Sequence, residues 1–143
     1  MDEPEATQAT VAVVLAPRAA MDVVNECLRV LNHFGIPFTM SDWSTFDAAF
    51  ERDAATLRVI LFATGIAYTD EHLRLPDSAI VPIFRFVTDA EPPEKLLTET
   101  TLMASMGYGI PGAINAGHQA ARILALSDAT LRHRLETQPY RPS

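Results

Sequence analysis

The chain has 143 residues, 48% hydrophobic and 20% charged, which fits one globular domain with an ordinary core. Its formal net charge of −7 argues against nucleic acid as a partner, since phosphate backbones demand clustered Lys and Arg. No run approaches the ~18 consecutive apolar residues of a membrane span, and the acidic start Met1-Asp2-Glu3-Pro4-Glu5 lacks the basic opening of a signal peptide, so a cytoplasmic protein is expected.

Residues 1–9 read as a disordered acidic tail, 10–136 as the domain, and 137–143 as a loose, proline-bearing end. Thr10–Ala16 is a short β-branched apolar run that predicts a buried strand. From Met21 to Phe34, Val23, Val24, Cys27, Leu28, Val30, Leu31 and Phe34 recur at helical spacing, and Gly35 supplies the stop. Cys27, the single cysteine, falls on that apolar face and reads as a core residue. Strands are predicted at 36–40, 58–63, 80–87 (interrupted by Pro82) and 102–106. Helices are predicted at 45–56, at 91–102 with Pro92 and Pro93 in the first turn, and at 113–126 in an alanine-rich stretch. A last helix to about residue 136 is capped by Ser127 or Asp128.

Alternation of strands and helices at this spacing predicts a three-layer α/β/α sandwich around a parallel sheet, flavodoxin-like in type. In such sheets ligands bind outside the carboxyl ends of the strands, near the topological switch point. Four segments occupy such ends: Ala16–Asp22, Ser41–Thr45, Thr64–His72 and Gly107–Asn115. The last is rich in glycine (Gly107, Gly109 and Gly112, with Gly117 just beyond), so its backbone amides are open to a ligand with no Cβ in the way.

The run Gly109-Ile110-Pro111-Gly112-Ala113-Ile114-Asn115-Ala116-Gly117, continued by Ala120-Ala121-Arg122-Ile123-Leu124-Ala125-Leu126-Ser127-Asp128 and by Leu131, Arg132 and Leu135, resembles the PurE family, the carboxyaminoimidazole ribonucleotide mutases of purine synthesis. A weaker likeness covers Val11–Phe38, ending in Leu31-Asn32-His33-Phe34-Gly35-Ile36-Pro37-Phe38. The resemblance implies a PurE-like domain, a phosphorylated small-molecule ligand held by three loops, and a homo-oligomer, typically an octamer.

The three loops depart from the family pattern. The first, a G-S-x-S-D segment that binds phosphate and ribose, is here Ala16-Pro17-Arg18-Ala19-Ala20-Met21-Asp22. Its serines are gone, Pro17 removes an amide donor, and Arg18 offers a bidentate replacement. The second, S-A-H-R-T-P, supplies the family's proton-transfer histidine and a phosphate-binding arginine. Here it is Ser41-Asp42-Trp43-Ser44-Thr45, without either. The third, a glycine-rich carbon dioxide pocket, is here Ala63-Thr64-Gly65-Ile66-Ala67-Tyr68-Thr69-Asp70-Glu71-His72-Leu73. Moving a carboxylate between a ring nitrogen and the adjacent ring carbon needs a proton taken up and released at that carbon, for which a group titrating near neutrality is suited.

The expected functions are therefore three. The first is a divergent PurE-like enzyme carrying out a different carboxyl transfer, decarboxylation or isomerisation. The second is a catalytically silent protein that binds a ligand or an active paralogue, and the third is the purine-pathway reaction by an altered mechanism. In the first, Asp22, Asp42 and His72 are the catalytic candidates, and Arg18, Ser44, Trp43, Gly65, Gly107, Tyr108, Gly109, Gly112 and Asn115 the ligand-binding ones. Each has a plainer reading: Asp22 as a first-turn helix carboxylate, Trp43 as a cover for the core edge, His72 as a surface residue. His118 faces either the ligand or a packing surface. The histidines and the lone cysteine show no metal-ligand spacing, so neither a metal nor a cofactor is expected.

Overall fold

Five short apolar runs form the strands of one parallel sheet. The computed structural model describes residues 9–16, 19–42, 44, 55–64, 81–89 and 104–142. Within them lie β1 (Val11–Leu15), α1 (Met21–His33), β2 (Phe38–Asp42), β3 (Val59–Thr64), β4 (Ile83–Val87), β5 (Ala104–Tyr108), α2 (Gly109–Ala125) and α3 (Ala129–Thr137). The strands run in the order β2-β1-β3-β4-β5, all parallel, with Val13 level with Met40 on one side and Leu61 on the other. This is the flavodoxin-like order, with its switch point between β1 and β3.

Interior parallel strands are covered on both faces, and their sequences are continuous apolar runs for that reason. β3 is buried along its whole length. The edge strand β2, Phe-Thr-Met-Ser-Asp, is half exposed and polar, which blunts an open edge. Alternate residues divide between two cores. Val11, Val13, Leu61, Ala63, Phe84 and Phe86 meet α1 and α2 on one face, while Ala12, Val14, Leu57, Ile60, Phe62 and Ile83 cluster on the other. The helices expected at 45–56 and 91–102 fall almost wholly outside the described residues.

α1 packs through Val23, Val24, Cys27, Val30 and Leu31, all buried. It ends in a Schellman motif: Ile36 N–H donates to Leu31 C=O at 2.9 Å and Gly35 N–H to Asn32 C=O at 3.1 Å, with Gly35 at φ +70°. Those turns consume residues 34–36, and Pro37 has no N–H to donate. Pairing in β2 therefore starts at Phe38, two residues later than the apolar pattern suggests, and Ser41 and Asp42 belong to the strand itself. Pro82 does not interrupt β4. The strand starts directly after it, and the Pro82 carbonyl accepts from Ile60 N–H at 3.0 Å.

The last helices also differ from expectation at their starts. β5 runs to Tyr108, and α2 begins at Gly109, four residues before the alanine-rich stretch. The glycines that suggested an irregular loop are part of the strand end and the helix's first turn. α3 starts as expected, with the Asp128 carboxylate accepting from Leu131 N–H at 3.0 Å.

Candidate functional site

The carboxyl edge of the sheet is held together by hydrogen bonds between segments far apart in sequence. Ala16 N–H donates to Ala63 C=O at 3.0 Å, extending the β1–β3 pairing past the switch point. Thr88 N–H donates to Thr64 C=O at 2.8 Å. The Thr88 hydroxyl then accepts from Ala20 N–H at 3.0 Å. Ala20 is the N-cap of α1 and has no side-chain oxygen of its own, so a residue 68 positions away satisfies an amide at the helix start.

Arg85, the middle residue of β4, reaches toward this edge. It is 3% exposed, and its Nε–H donates to the Thr64 hydroxyl at 2.6 Å. A guanidinium is charged at every physiological pH, and a buried charge persists only where partners compensate it. The Thr64 hydroxyl, itself fully buried, is one such partner. Thr64, Arg85 and Thr88 are the three buried polar residues of the described core: Thr64 ends β3, Thr88 directly follows β4, and Arg85 is the middle residue of β4. None was singled out from the sequence. The available signal was the arginine inside the apolar run Ile83-Phe84-Arg85-Phe86-Val87, because a buried polar group is more informative than another buried apolar one.

The glycine turn lies at the far edge, after β5. The β4–β5 register slips there, with Arg85 opposite Ser105 but Val87 opposite Tyr108, so β5 carries one extra residue. Gly107, at φ +114°, absorbs this bulge. Gly112, one turn into α2, sits directly on it: a Cβ at Gly112 would stand 2.6 Å from the Gly107 carbonyl carbon and 2.9 Å from its oxygen. Asn115 Nδ2 donates to Met106 C=O at 3.4 Å, tying the helix back to the strand. Gly109 is buried at φ +63°, and Tyr108 is half exposed at the helix N-cap. Strand-to-helix packing thus accounts for Gly107, Gly112 and Asn115 without a ligand.

No protein-family model matches this chain, and no curated protein matches it either.

The residues expected to form one site are spread along the sheet edge. Asp42 ends β2 and is exposed, with Ser44 beside it in a short 3₁₀ turn. β2 and β5 are opposite edge strands, four spacings apart, or about 19 Å at ~4.8 Å per strand. One small metabolite does not bridge Asp42 and the glycine turn of the same chain. Asp22 is exposed in the first turn of α1, close to the Ala20–Thr88 contact. Arg18, Trp43, Gly65 and His72 lie outside the described residues.

His118 lies in the body of α2, nine residues past its start. Its ring packs edge-on against Phe34 (centroids 5.9 Å apart) and Tyr140 (6.0 Å). Burial lowers its pKa below the ordinary histidine value, helped by the nearby positive charges of Arg122 and His33. It belongs to a ring cluster with His33, whose Nε2 lies 2.8 Å from Gln138 C=O, and not to the glycine turn. Burial pushes the Cys27 thiol up to about 12, as a core cysteine requires.

Proposed function

We propose that this chain is a divergent PurE-like protein that binds a nucleotide or related small phosphorylated metabolite at the carboxyl edge of its sheet, and that the reaction there is a carboxyl transfer, decarboxylation or isomerisation. The observation that carries this reading is the position of Arg85. It is a buried cation in the middle of β4 whose Nε reaches Thr64 at the carboxyl end of β3, one of the two strands that flank the switch point where open parallel sheets bind ligands. Arg18 would supply a bidentate phosphate contact from the β1–α1 connection. Asp22, in the first turn of α1, would serve a hydroxyl or a proton.

A second reading, a catalytically silent ligand-binding or paralogue-binding protein, is favoured by one observation. Asp42 stands about four strand spacings from the glycine turn, so two of the expected groups do not meet in one chain. An oligomer, as the resemblance implies, would offer a neighbour's edge instead.

A thermal-shift screen with aminoimidazole ribonucleotide, its carboxylated form and other phosphorylated metabolites tests the binding claim. A ligand at 100 times its Kd stabilises the fold by about 2.7 kcal/mol. The stabilisation should be lost in Arg18→Ala and kept in Arg29→Gln, whose side chain is on the exposed face of α1. Absence of a shift with every phosphorylated compound sinks the reading. Product formation from the carboxylated nucleotide separates the enzyme from the silent binder.

A further inference from the structure

A groove of about 620 Å³ opens at the amino edge of the sheet, opposite the site discussed so far. Small-molecule pockets span about 300–1,000 Å³. Its floor follows from backbone pairing: Thr10 N–H donates to Pro37 C=O at 3.1 Å and Arg58 N–H to Thr10 C=O at 2.8 Å, so residues 37, 10 and 58 lie side by side. The start of α3 forms the opposite wall, from Asp128 to Arg134.

Two guanidinium groups line this groove, from Arg58 and Arg134. Neither is ion-paired among the described residues, where the salt bridges are Arg29–Glu26 and Arg132–Glu136. Arg134 donates one N–H to Phe34 C=O at 3.0 Å. Arg58 reaches only backbone carbonyls, at 3.4 and 3.5 Å. Each guanidinium has five N–H donors, so most remain available. The one carboxylate in the lining, Asp128, is engaged with Leu131 N–H. Arg134 is tied to the Phe34 carbonyl, three residues before Pro37, and the backbones of Pro37 and Arg58 are two strand spacings apart, about 10 Å, so the two guanidinium groups enter the groove from different sides. Pro37 and Leu124 supply apolar wall between them.

We propose that this groove is a ligand site distinct from the carboxyl edge, taking a small organic dianion with an apolar body, its two oxyanion groups meeting Arg58 and Arg134. Carboxylate and phosphate share the chemistry a guanidinium fork recognises. The site does not depend on the PurE-like reading.

The test is a ¹H–¹⁵N NMR titration of the full chain with isophthalate, as the dicarboxylate, and with phenyl phosphate, as the phosphate. The expected result is shifts at the amides of Thr10, Gly35, Ser127 and Leu131, and affinity reduced about tenfold or more in Arg58→Gln, the loss expected for a charge-assisted hydrogen bond. The tighter probe then identifies the preferred oxyanion. Arg134→Lys keeps the charge but loses the fork, and should weaken binding while preserving the fold. The spectrum of each variant reports folding directly. The proposal is overturned if neither probe moves those amides at millimolar concentration, if binding survives Arg58→Gln unchanged, or if the shifts map to residues 107–115.

Discussion

Gly117→Ala adds one methyl group where α1 and α2 cross. The new Cβ would stand 2.8 Å from Val30 Cβ, 3.0 Å from Val30 Cγ1 and 3.1 Å from Cys27 C=O. Carbon atoms in contact prefer about 3.5–4.0 Å. Val30 is fully buried and its Cβ is fixed by the α1 backbone, so no side-chain rotation relieves the clash. The helices must separate by about 1 Å, against a shared face that includes Ala113, Ala116, Ala120, Ala121, Val23 and Val24. Alanine is favoured over glycine in a helix by about 1 kcal/mol, but overpacking a close-packed core costs about 1–3 kcal/mol. Because the closest contacts are a branched Cβ and a backbone oxygen, the upper part of that range applies, leaving a net loss of about 1–2 kcal/mol. For a chain of this length that lowers Tm by about 3–8 °C. Thermal or urea unfolding followed by circular dichroism reads the change. Val30→Ala alone costs about 2 kcal/mol through the space it empties. Alanine at position 30 removes the 3.0 Å contact with Cγ1 but keeps a Cβ at 2.8 Å and leaves the Cys27 carbonyl in place, so a double-mutant cycle should show only partial relief, a favourable coupling of about 0.5 kcal/mol. The reasoning fails if Gly117→Ala raises Tm, or if alanine at position 30 abolishes its cost.

Thr64→Val removes the hydroxyl that accepts from Arg85 and leaves a buried donor unmatched, which should cost about 1–3 kcal/mol in urea unfolding; a loss below ~0.5 kcal/mol would show that the Thr64 contact is dispensable. His118, with its pKa lowered in the fold, binds fewer protons folded than unfolded. Its contribution is complete above the ordinary value of 6.5 and declines as pH falls below that toward the folded pKa. Tm should therefore fall more steeply below pH 6.5 in the wild type than in His118→Gln, and parallel curves would refute the assignment.

The interior strands were legible because β1 and β3 are unbroken apolar runs, a signature of strands buried on both faces. Gly35 was readable as a helix stop because its position required left-handed backbone geometry. Strand ends were less legible. The Schellman turn after α1 delays β2, and the bulge at Gly107 lengthens β5; both depend on pairing partners that local sequence does not reveal. Glycine spacing pointed to a ligand loop, yet a glycine that admits a ligand and one that admits another backbone look alike in sequence. At Gly112 the neighbour is the Gly107 backbone. The polar set at Thr64, Arg85 and Thr88 was missed because each member lies in a different stretch of chain and acquires meaning only when β3, β4 and the start of α1 are side by side.

The Arg134 contact with the end of α1 has a consequence for how the chain is made. The Phe34 carbonyl waits for a side chain 100 residues downstream, and His33 meets Gln138 across 105. During synthesis the first helix is complete in sequence long before its C-terminal end is closed. Residues 134–138 act as a latch, so a chain truncated before α3 leaves the Phe34 carbonyl without its Arg134 donor and His33 without its Gln138 partner. Sealing of the first helix is thereby made to wait for α3.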